Sequence, residues 1–187
     1  MCGIFGVIGG KSVINDILSG LTKLEYRGYD SSGISYVCNN QIETYRAEGK
    51  LNNLKKNLGE KLADTHIGIG HTRWATHGIP SKANAHPHST NEVSIVHNGI
   101  IENFLKLKTN LIDKGHIFKS QTDSEVIAHL ITDHLNSGCT PEDSIKKTLP
   151  LLEGAFAIAV IFKESKLLIG ARKGSPLALG ISNEKNY

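Results

Sequence analysis

The sequence of 187 residues is short of cysteine, of aromatic residues and of long apolar runs. Its three cysteines, Cys2, Cys38 and Cys139, are odd in number and have no paired spacing. This pattern argues against a disulfide framework and predicts a reducing, cytoplasmic setting. No apolar run approaches the roughly 18 residues of a membrane span, and the first residues lack the basic-then-apolar pattern of a signal peptide. We therefore expect no membrane partner.

The charge and composition are those of a globular protein. The net charge of +3 is spread along the chain, and its densest basic pairs, Lys55-Lys56 and Lys146-Lys147, lie where we expect helix surfaces. Because no basic stripe emerges, we expect no nucleic-acid partner. Hydrophobic residues make up 39% and charged residues 21%, a balance that can build a core. No repeat or low-complexity linker divides the chain, so we predict a single domain over residues 1–187.

Apolar periodicity predicts strands alternating with a few helices. The run 2–9 is apolar and reads as a buried strand, and residues 33–47 read as a hairpin around Asn39-Asn40. A capping-box pattern at 122–125 and Thr140-Pro141 mark helix starts. The tail 180–187 is expected to follow a last strand without a closing element. The further predictions are strands at 67–71, 93–96, 155–162, 167–171 and 177–181, and helices at 13–24, 103–114, 124–136 and 141–149. Such a pattern indicates an α+β fold with packed layers.

Cys2 is the first candidate for chemistry. If Met1 is removed, the thiol of Cys2 and its own free α-amine lie on one residue. The amine has an ordinary pKa of about 7.7–8.0 and the thiol about 8.5, so the amine can take the thiol proton near neutral pH. This is the N-terminal form of nucleophilic catalysis. The alternative is a cysteine that is at this position by chance.

Two further polar clusters follow helix or strand patterns. In the cluster at 26–31, Arg27 either supports the N-terminal residue or the substrate, or offsets a helix dipole as a terminal cation. In the cluster at 71–78, Arg73 offers the planar fork that holds a carboxylate. Trp74 beside it is placed to close over a small ligand. The alternative for the second cluster is a surface arginine and a packed tryptophan.

The histidine-rich stretch 84–88 raises the question of a metal. Its histidines and His71, His77 and His97 fit no common zinc spacing, and two histidines that flank a proline cannot share a helix face. We therefore expect no metal, and loop-stabilising hydrogen bonds instead.

Asn98, Gly99 and Asp123 are the remaining candidates. An asparagine amide and a glycine N–H are two donors suited to a developing oxyanion, although Asn-Gly is also a common turn. Asp123 either caps a helix or pairs with a substrate ammonium. From these residues alone, each alternative stays open.

Taken together, six motifs in order resemble one known family. They are CGIFG at 2–6, LEYRGYDS at 24–31, HTRWATHG at 71–78, NAHPH at 84–88, HNGIIEN at 97–103 and TDSEVIAH at 122–129. They are similar to the glutaminase domain of the glucosamine-6-phosphate synthases, a class II, N-terminal-nucleophile amidotransferase domain. The resemblance runs from Cys2 to about Gly180. The runs RWATHG and NAHPH favour these synthases over the amidophosphoribosyltransferases and asparagine synthetases.

The resemblance implies a fold and a set of roles. The fold is a four-layer αββα sandwich of two antiparallel sheets flanked by helices, of the Ntn-hydrolase type. Cys2 attacks the side-chain amide of L-glutamine, and ammonia and glutamate are released without a cofactor or metal. Asn98 and Gly99 are implied to form the oxyanion hole, and Arg27 to position the N-terminal loop. Arg73 is implied to bind the substrate carboxylate and Asp123 its ammonium. Thr76 and His77 would line the pocket, His86 would support the glutamine loop, and Trp74 would be the gate for ammonia.

The family continues beyond a domain of this kind. It has two sugar-isomerase domains that bind fructose 6-phosphate, and this sequence contains neither. We therefore expect glutamine hydrolysis alone from this chain, and those domains of its own chain as the natural partner. Dimers of the family form largely through them, so we expect a monomer here and a dimer of the full enzyme. A retained Met1 would lock the amine of Cys2 in a peptide bond.

Three other classes of function stay open at this point. A glutamine sensor would keep the pocket without forming a covalent intermediate. A metal-binding interaction module would use the histidine-rich loops. An N-terminal-nucleophile peptidase or acylase would share the nucleophile, but Arg73 together with Asp123 favours a free amino acid, because a peptide has one or both of those termini blocked.

Overall fold

The computed structural model describes residues 2–59 and 64–187; the predicted removal of Met1 lies outside the described residues. Nine strands, five α-helices and two short 3-10 helices, Glu25–Arg27 and Leu149–Leu151, are described. The strands are β1 Gly3–Gly9, β2 Ser31–Cys38, β3 Gln41–Glu48, β4 Ile67–Arg73, β5 His88–Ser89, β6 Val93–Gly99, β7 Phe156–Phe162, β8 Leu168–Lys173 and β9 Lys185–Asn186. The helices are α1 Val13–Leu24, α2 Leu51–Leu58, α3 Phe104–Asp113, α4 Glu125–Asn136 and α5 Pro141–Thr148.

The strands form two antiparallel sheets. The first has the order β3-β2-β4-β1-β9, and the second has the order β5-β6-β7-β8. Helices α1 and α2 pack on the outer face of the first sheet, and α3, α4 and α5 on the outer face of the second. The predicted four-layer αββα sandwich is confirmed.

Strand β1 shows why its apolar run is continuous. Phe5 and Val7 face α1 and α2, whereas Ile4 and Ile8 face the second sheet. Because successive side chains of a strand point to opposite faces, a strand buried on both faces needs apolar residues at every position. Cys2 lies two residues before Ile4, so the alternation of the strand directs the Cys2 side chain toward the space between the sheets.

The helices follow their apolar periodicity. In α1, Val13, Ile14, Ile17 and Leu21 are fully buried and recur at three- and four-residue intervals. Each such side chain contributes about 1.5–3 kcal/mol when it leaves water. The start of α5 is also as predicted: Thr140 Oγ1 accepts the Asp143 N–H at 3.2 Å, and Pro141 occupies the first helical position.

The capping box predicted at 122–125 is wrong. Helix α4 follows Ser124 without a side-chain cap, and the Glu125 carboxylate instead accepts the N–H groups of Lys119 at 2.9 Å and Ser120 at 2.7 Å. The carboxylate turns away from the helix because the preceding loop offers it two unpaired donors. This fastens the loop that carries Asp123 to the helix.

The predicted end of the chain is also wrong. No strand covers 177–181; only Ile181 forms an isolated bridge, with Asn186. Residues 180–187 form a hairpin whose β9 pairs with β1, and Lys185 Nζ lies 2.6 Å from Asp16 Oδ2 on α1. The tail therefore closes the edge of the first sheet, which its polar composition did not indicate.

Candidate active site

A pocket opens where the chain enters β1 and leaves β4 and β6. Eight of the ten predicted site residues line it, and only Arg27 and Asn98 do not. Three lining residues, His97, Thr122 and Ser124, were not predicted for the site, although each lies within one of the motifs. The full lining is Cys2, Arg73, Trp74, Thr76, His77, His86, His97, Gly99, Thr122, Asp123 and Ser124.

Cys2 is held by contacts on both sides. The Trp74 N–H donates to Cys2 Sγ at 3.3 Å, and Arg27 Nε donates to the Cys2 carbonyl at 3.1 Å. Burial raises the pKa of the Cys2 thiol, and the hydrogen bond from Trp74 only partly offsets this. The thiol is therefore protonated near neutral pH and requires a base before it can attack.

Arg73, the last residue of β4, organises the loop that follows it. It is almost fully buried; its Nη2 donates to the carbonyls of His77 and, at 3.0 Å, Gly78, and its Nη1 lies 3.4 Å from the Ile79 carbonyl. A buried guanidinium needs such acceptors, because unpaired donors are costly away from water. The loop is thereby curled around the pocket, and the arginine remains part of the pocket wall.

Asp30 is a site residue that the motifs did not single out. Its carboxylate accepts the Ala75 N–H, and its Oδ1 lies 3.8 Å from Arg73 Nη1. It thus pins both the arginine and the loop beyond it. Its place within the polar cluster at 26–31 was the available signal, but only the pairing of β2 with β4 reveals the contact.

Gly99 presents its N–H at the open edge of β6. The Ile100 N–H donates to the Ala155 carbonyl at 3.1 Å, so residues 98 and 100 bond to β7 and Gly99 points the other way. Beside β6 on that edge, β5 reaches only as far as Ile95. A Cβ at Gly99 would lie 2.1 Å from the Ala155 oxygen, and its φ is +145°, so only glycine fits.

Asn98 is half-buried and lies one residue earlier on β6. Val96, two residues before it, belongs to the apolar cluster between the sheets against which Ile4 and Ile8 pack. Alternation therefore directs the Asn98 side chain toward the same space as Cys2.

Asp123 forms the opposite wall of the pocket. Its Oδ2 accepts the Ile101 N–H at 2.8 Å, and its Oδ1 lies 4.0 Å from His77 Nδ1. His77 is itself held edge-on against Phe104. Because one oxygen of the carboxylate is fixed by the backbone, the other is left oriented toward the pocket.

Four buried histidines form a cluster at the pocket: His86 and His97 line it, and His71 and His88 lie behind them. His86 stacks on His71 at 4.1 Å between ring centroids and meets His88 edge-on at 4.5 Å. Burial lowers the pKa of His71 and His88 to about 3 and that of His97 to about 4, and lowers that of His86 well below the ordinary value. All four are neutral at physiological pH.

The loop at 84–88 is held mainly by Asn84 and His88. Asn84 Nδ2 donates to the Ile79 carbonyl at 2.9 Å, and His88 Nε2 lies 2.9 Å from Thr122 Oγ1. Neither ring nitrogen of His86 has a hydrogen-bond partner within residues 2–59 and 64–187. Over the same ranges, no three His, Cys, Asp or Glu side chains converge as a metal ion would require.

The arrangement is suited to one kind of small molecule. A thiol, a guanidinium and a carboxylate face a single pocket, and a backbone N–H points outward at the edge of β6. These groups complement a free α-amino acid whose side chain carries an electrophilic carbon.

None of the helices in the described part of the chain has the length and apolar character of a membrane-spanning segment.

Sequence comparisons agree with this chemistry. A family model described as a glutamine amidotransferase domain matches residues 71–186. The chain is similar over its whole length to proteins named glutamine–fructose-6-phosphate aminotransferase (isomerizing), with 52% identity in Bradyrhizobium diazoefficiens and 50% in Zymomonas mobilis. It spans 31% of the length of each of these relatives.

Solved structures show the same fold. The glutamine phosphoribosylpyrophosphate amidotransferase of B. subtilis, complexed with ADP and GMP, matches the whole chain with a TM-score of 0.84 and 29% identity, over 41% of its own length. A glutamine aminotransferase class-II domain protein from Silicibacter pomeroyi matches the whole chain with a TM-score of 0.68, over 86% of its length. At 14% identity, the second likeness concerns the fold alone.

Proposed function

Because this chain belongs to the glutamine amidotransferase domain family, we propose that it hydrolyses the side-chain amide of L-glutamine to glutamate and ammonia through a γ-glutamyl thioester on Cys2. The observation that carries the proposal is the placement of Cys2, Arg73 and Asp123 around one pocket. Arg73 holds the α-carboxylate and Asp123 the α-ammonium, which leaves the amide carbon facing the thiol. Thr76 and His77 line the pocket, and His86 supports the loop.

The reaction begins with loss of the thiol proton. With Met1 removed, the α-amine of Cys2 takes this proton, which the buried thiol does not release unaided. The sulfur then bonds to the amide carbon, and the carbonyl oxygen becomes an oxyanion. The Gly99 N–H and the Asn98 side-chain amide stabilise the oxyanion, and Arg27 keeps the Cys2 backbone in place.

The oxyanion collapses by breaking the carbon–nitrogen bond. The proton held by the amine passes to the departing nitrogen, which leaves as ammonia. Water then attacks the thioester, and the same amine takes its proton. The carbon–sulfur bond then breaks, the amine returns its proton to the sulfur, and glutamate departs from the restored thiol.

The whole protein is proposed to deliver this ammonia to a sugar. Its relatives are about three times as long and are named for fructose 6-phosphate. We infer that further domains of the same chain receive the ammonia and form glucosamine 6-phosphate, that they mediate dimerisation of a cytoplasmic enzyme, and that this domain alone is a monomer. Trp74 is half-exposed at the mouth of the pocket, with Tyr29 edge-on at 5.6 Å, and serves as the gate for ammonia.

The test is the intact mass after incubation with a diazoketone analogue of glutamine. The thiol proton passes to the diazo carbon, and the sulfur then displaces dinitrogen from that carbon and leaves a stable thioether. We expect one adduct on a species lacking Met1, no adduct in Cys2→Ala, and an adduct in the matched control Cys38→Ala. A Met1-free species that binds glutamine but stays unmodified would refute the proposal and favour a glutamine sensor.

A further inference from the structure

A chain of buried hydrogen bonds joins the three elements that carry the proposed substrate contacts. His71 Nε2 lies 2.9 Å from the His97 carbonyl, and His97 Nδ1 lies 2.7 Å from Ser124 Oγ. Ser124 Oγ in turn donates to Asp123 Oδ1 at 3.4 Å. The chain therefore runs from β4, which ends in Arg73, through β6, which ends in Gly99, to Asp123 before α4.

The direction of the first bond is fixed by chemistry. A carbonyl oxygen can only accept, so His71 carries its hydrogen on Nε2. Its Nδ1 has no hydrogen-bond partner among the described residues, and the ring is fully buried against His86. His88, His97 and Arg73 are the other titratable or charged groups acting on it. His71 is thus a neutral donor with one fixed tautomer.

The acceptor lies at a critical place on β6. Residues 97 and 99 both direct their backbone groups away from β7, because residues 98 and 100 bond to that strand. On this edge β5 pairs only with Ser94 and Ile95. Beyond Ile95 no strand pairs with this edge, and the His71 side chain donates to the outward-facing His97 carbonyl instead. This carbonyl belongs to the residue two positions before Gly99.

We propose that His71 is a positioning residue, which fixes the edge of β6 so that the Gly99 N–H faces the developing oxyanion. The inference rests on the proposed function of this pocket. His71 touches neither thiol nor substrate in this role; it acts through the His97 carbonyl. The bond from His71 to the His97 carbonyl affects the contact of Gly99 with the transition state, and not the binding of the amino acid by Arg73 and Asp123. Its loss therefore lowers kcat and leaves KM nearly unchanged.

Three variants test the role. His71→Phe keeps a planar ring but removes the donor, and His71→Gln places an amide N–H at a similar reach. Thr65→Val is the matched control, because Thr65 Oγ1 is likewise buried and donates to a main-chain carbonyl, that of Val37 at 2.7 Å, outside the pocket lining. The readouts are kcat and KM for glutamine hydrolysis and the amide NMR shift of Gly99 in the same samples.

We expect His71→Phe to lower kcat about 10- to 100-fold, the cost of a misplacement of up to about 1 Å, with KM changed less than about threefold. His71→Gln recovers most of kcat. The pH profile of kcat near neutral pH keeps its shape, because the pKa of His71 is about 3. The Gly99 amide shift moves in His71→Phe and stays in Thr65→Val.

Several results would overturn the role. An unchanged Gly99 amide in His71→Phe, or a kcat within twofold of wild type, removes His71 from positioning. Equal losses in His71→Phe and Thr65→Val indicate general destabilisation instead. A wild-type domain without glutaminase activity refutes the proposed function, and the Gly99 shift then still decides whether His71 holds the strand edge. If His71→Phe does not fold, the comparison of His71→Gln with wild type carries the test, and a Gln variant with kcat reduced as much as tenfold contradicts it.

Discussion

Replacing Gly28 by alanine perturbs the closest approach of two backbone segments beside the nucleophile. A Cβ at Gly28 would lie 2.5 Å from the Arg73 carbonyl carbon, 2.6 Å from its oxygen and 2.8 Å from the Trp74 nitrogen. The φ of Gly28 is −173°, extended backbone that alanine adopts freely. The perturbation is therefore purely steric, and it acts on the peptide whose N–H contacts Cys2 Sγ.

The size of the effect follows from the distances. The Arg73–Trp74 peptide must retreat by about 0.5–0.9 Å before the new methyl group reaches a tolerated contact. Overpacking of this kind costs about 1–3 kcal/mol of stability. A misplacement approaching 1 Å costs on the order of 100-fold in rate. We therefore expect kcat/KM for glutamine to fall about 10- to 100-fold in Gly28→Ala.

The matched control is Gly138→Ala, at the opposite end of α4 from Asp123. Gly138 has a φ of +83° and no atom within 4 Å of its Cβ position, so the substitution adds backbone strain without a clash. That strain costs about 1–2 kcal/mol. Both variants should therefore lose a few degrees of Tm, and only Gly28→Ala should lose activity. The assays are thermal unfolding and steady-state ammonia release, and a Gly28→Ala enzyme with kcat/KM within twofold of wild type would refute the reasoning.

Two other perturbations test the oxyanion hole and the buried histidines. Asn98→Ala should lower kcat by the equivalent of about 2.7–4 kcal/mol with little change in KM; unchanged turnover in steady-state assays would remove Asn98 from the mechanism. The free energy of unfolding should fall as pH drops below about 6.5, because the folded pKa values of His71, His88 and His97 are about 3 to 4 and the unfolded chain then binds more protons. Each such histidine removes up to about 1.4 kcal/mol per pH unit between pH 6 and 4. Equal values from urea unfolding at pH 7, 6 and 5 would contradict this.

Local patterns in the sequence were sufficient for most elements. The apolar run before Gly9, the periodicity of α1 and the hairpin around Asn39-Asn40 were all predicted correctly, because each depends on residues close together in the chain. The motifs also pointed to Cys2, Arg73 and Asp123, because the chemistry of a thiol, a guanidinium or a carboxylate belongs to the residue type itself. Burial on both faces of β1 explains why its apolar run is continuous and therefore easy to recognise in the sequence.

Only the tertiary structure decided how these pieces meet. Strand β4 lies between β1 and β2, and that order, which no local pattern encodes, brings Asp30 to the loop after Arg73 and Gly28 against its backbone. The same packing gave Glu125 better partners than the predicted capping box. It also placed His71 beneath the His97 carbonyl across the two sheets. Such contacts join residues far apart in sequence, and their strength depends on burial and distance, which exist only once the sheets have packed.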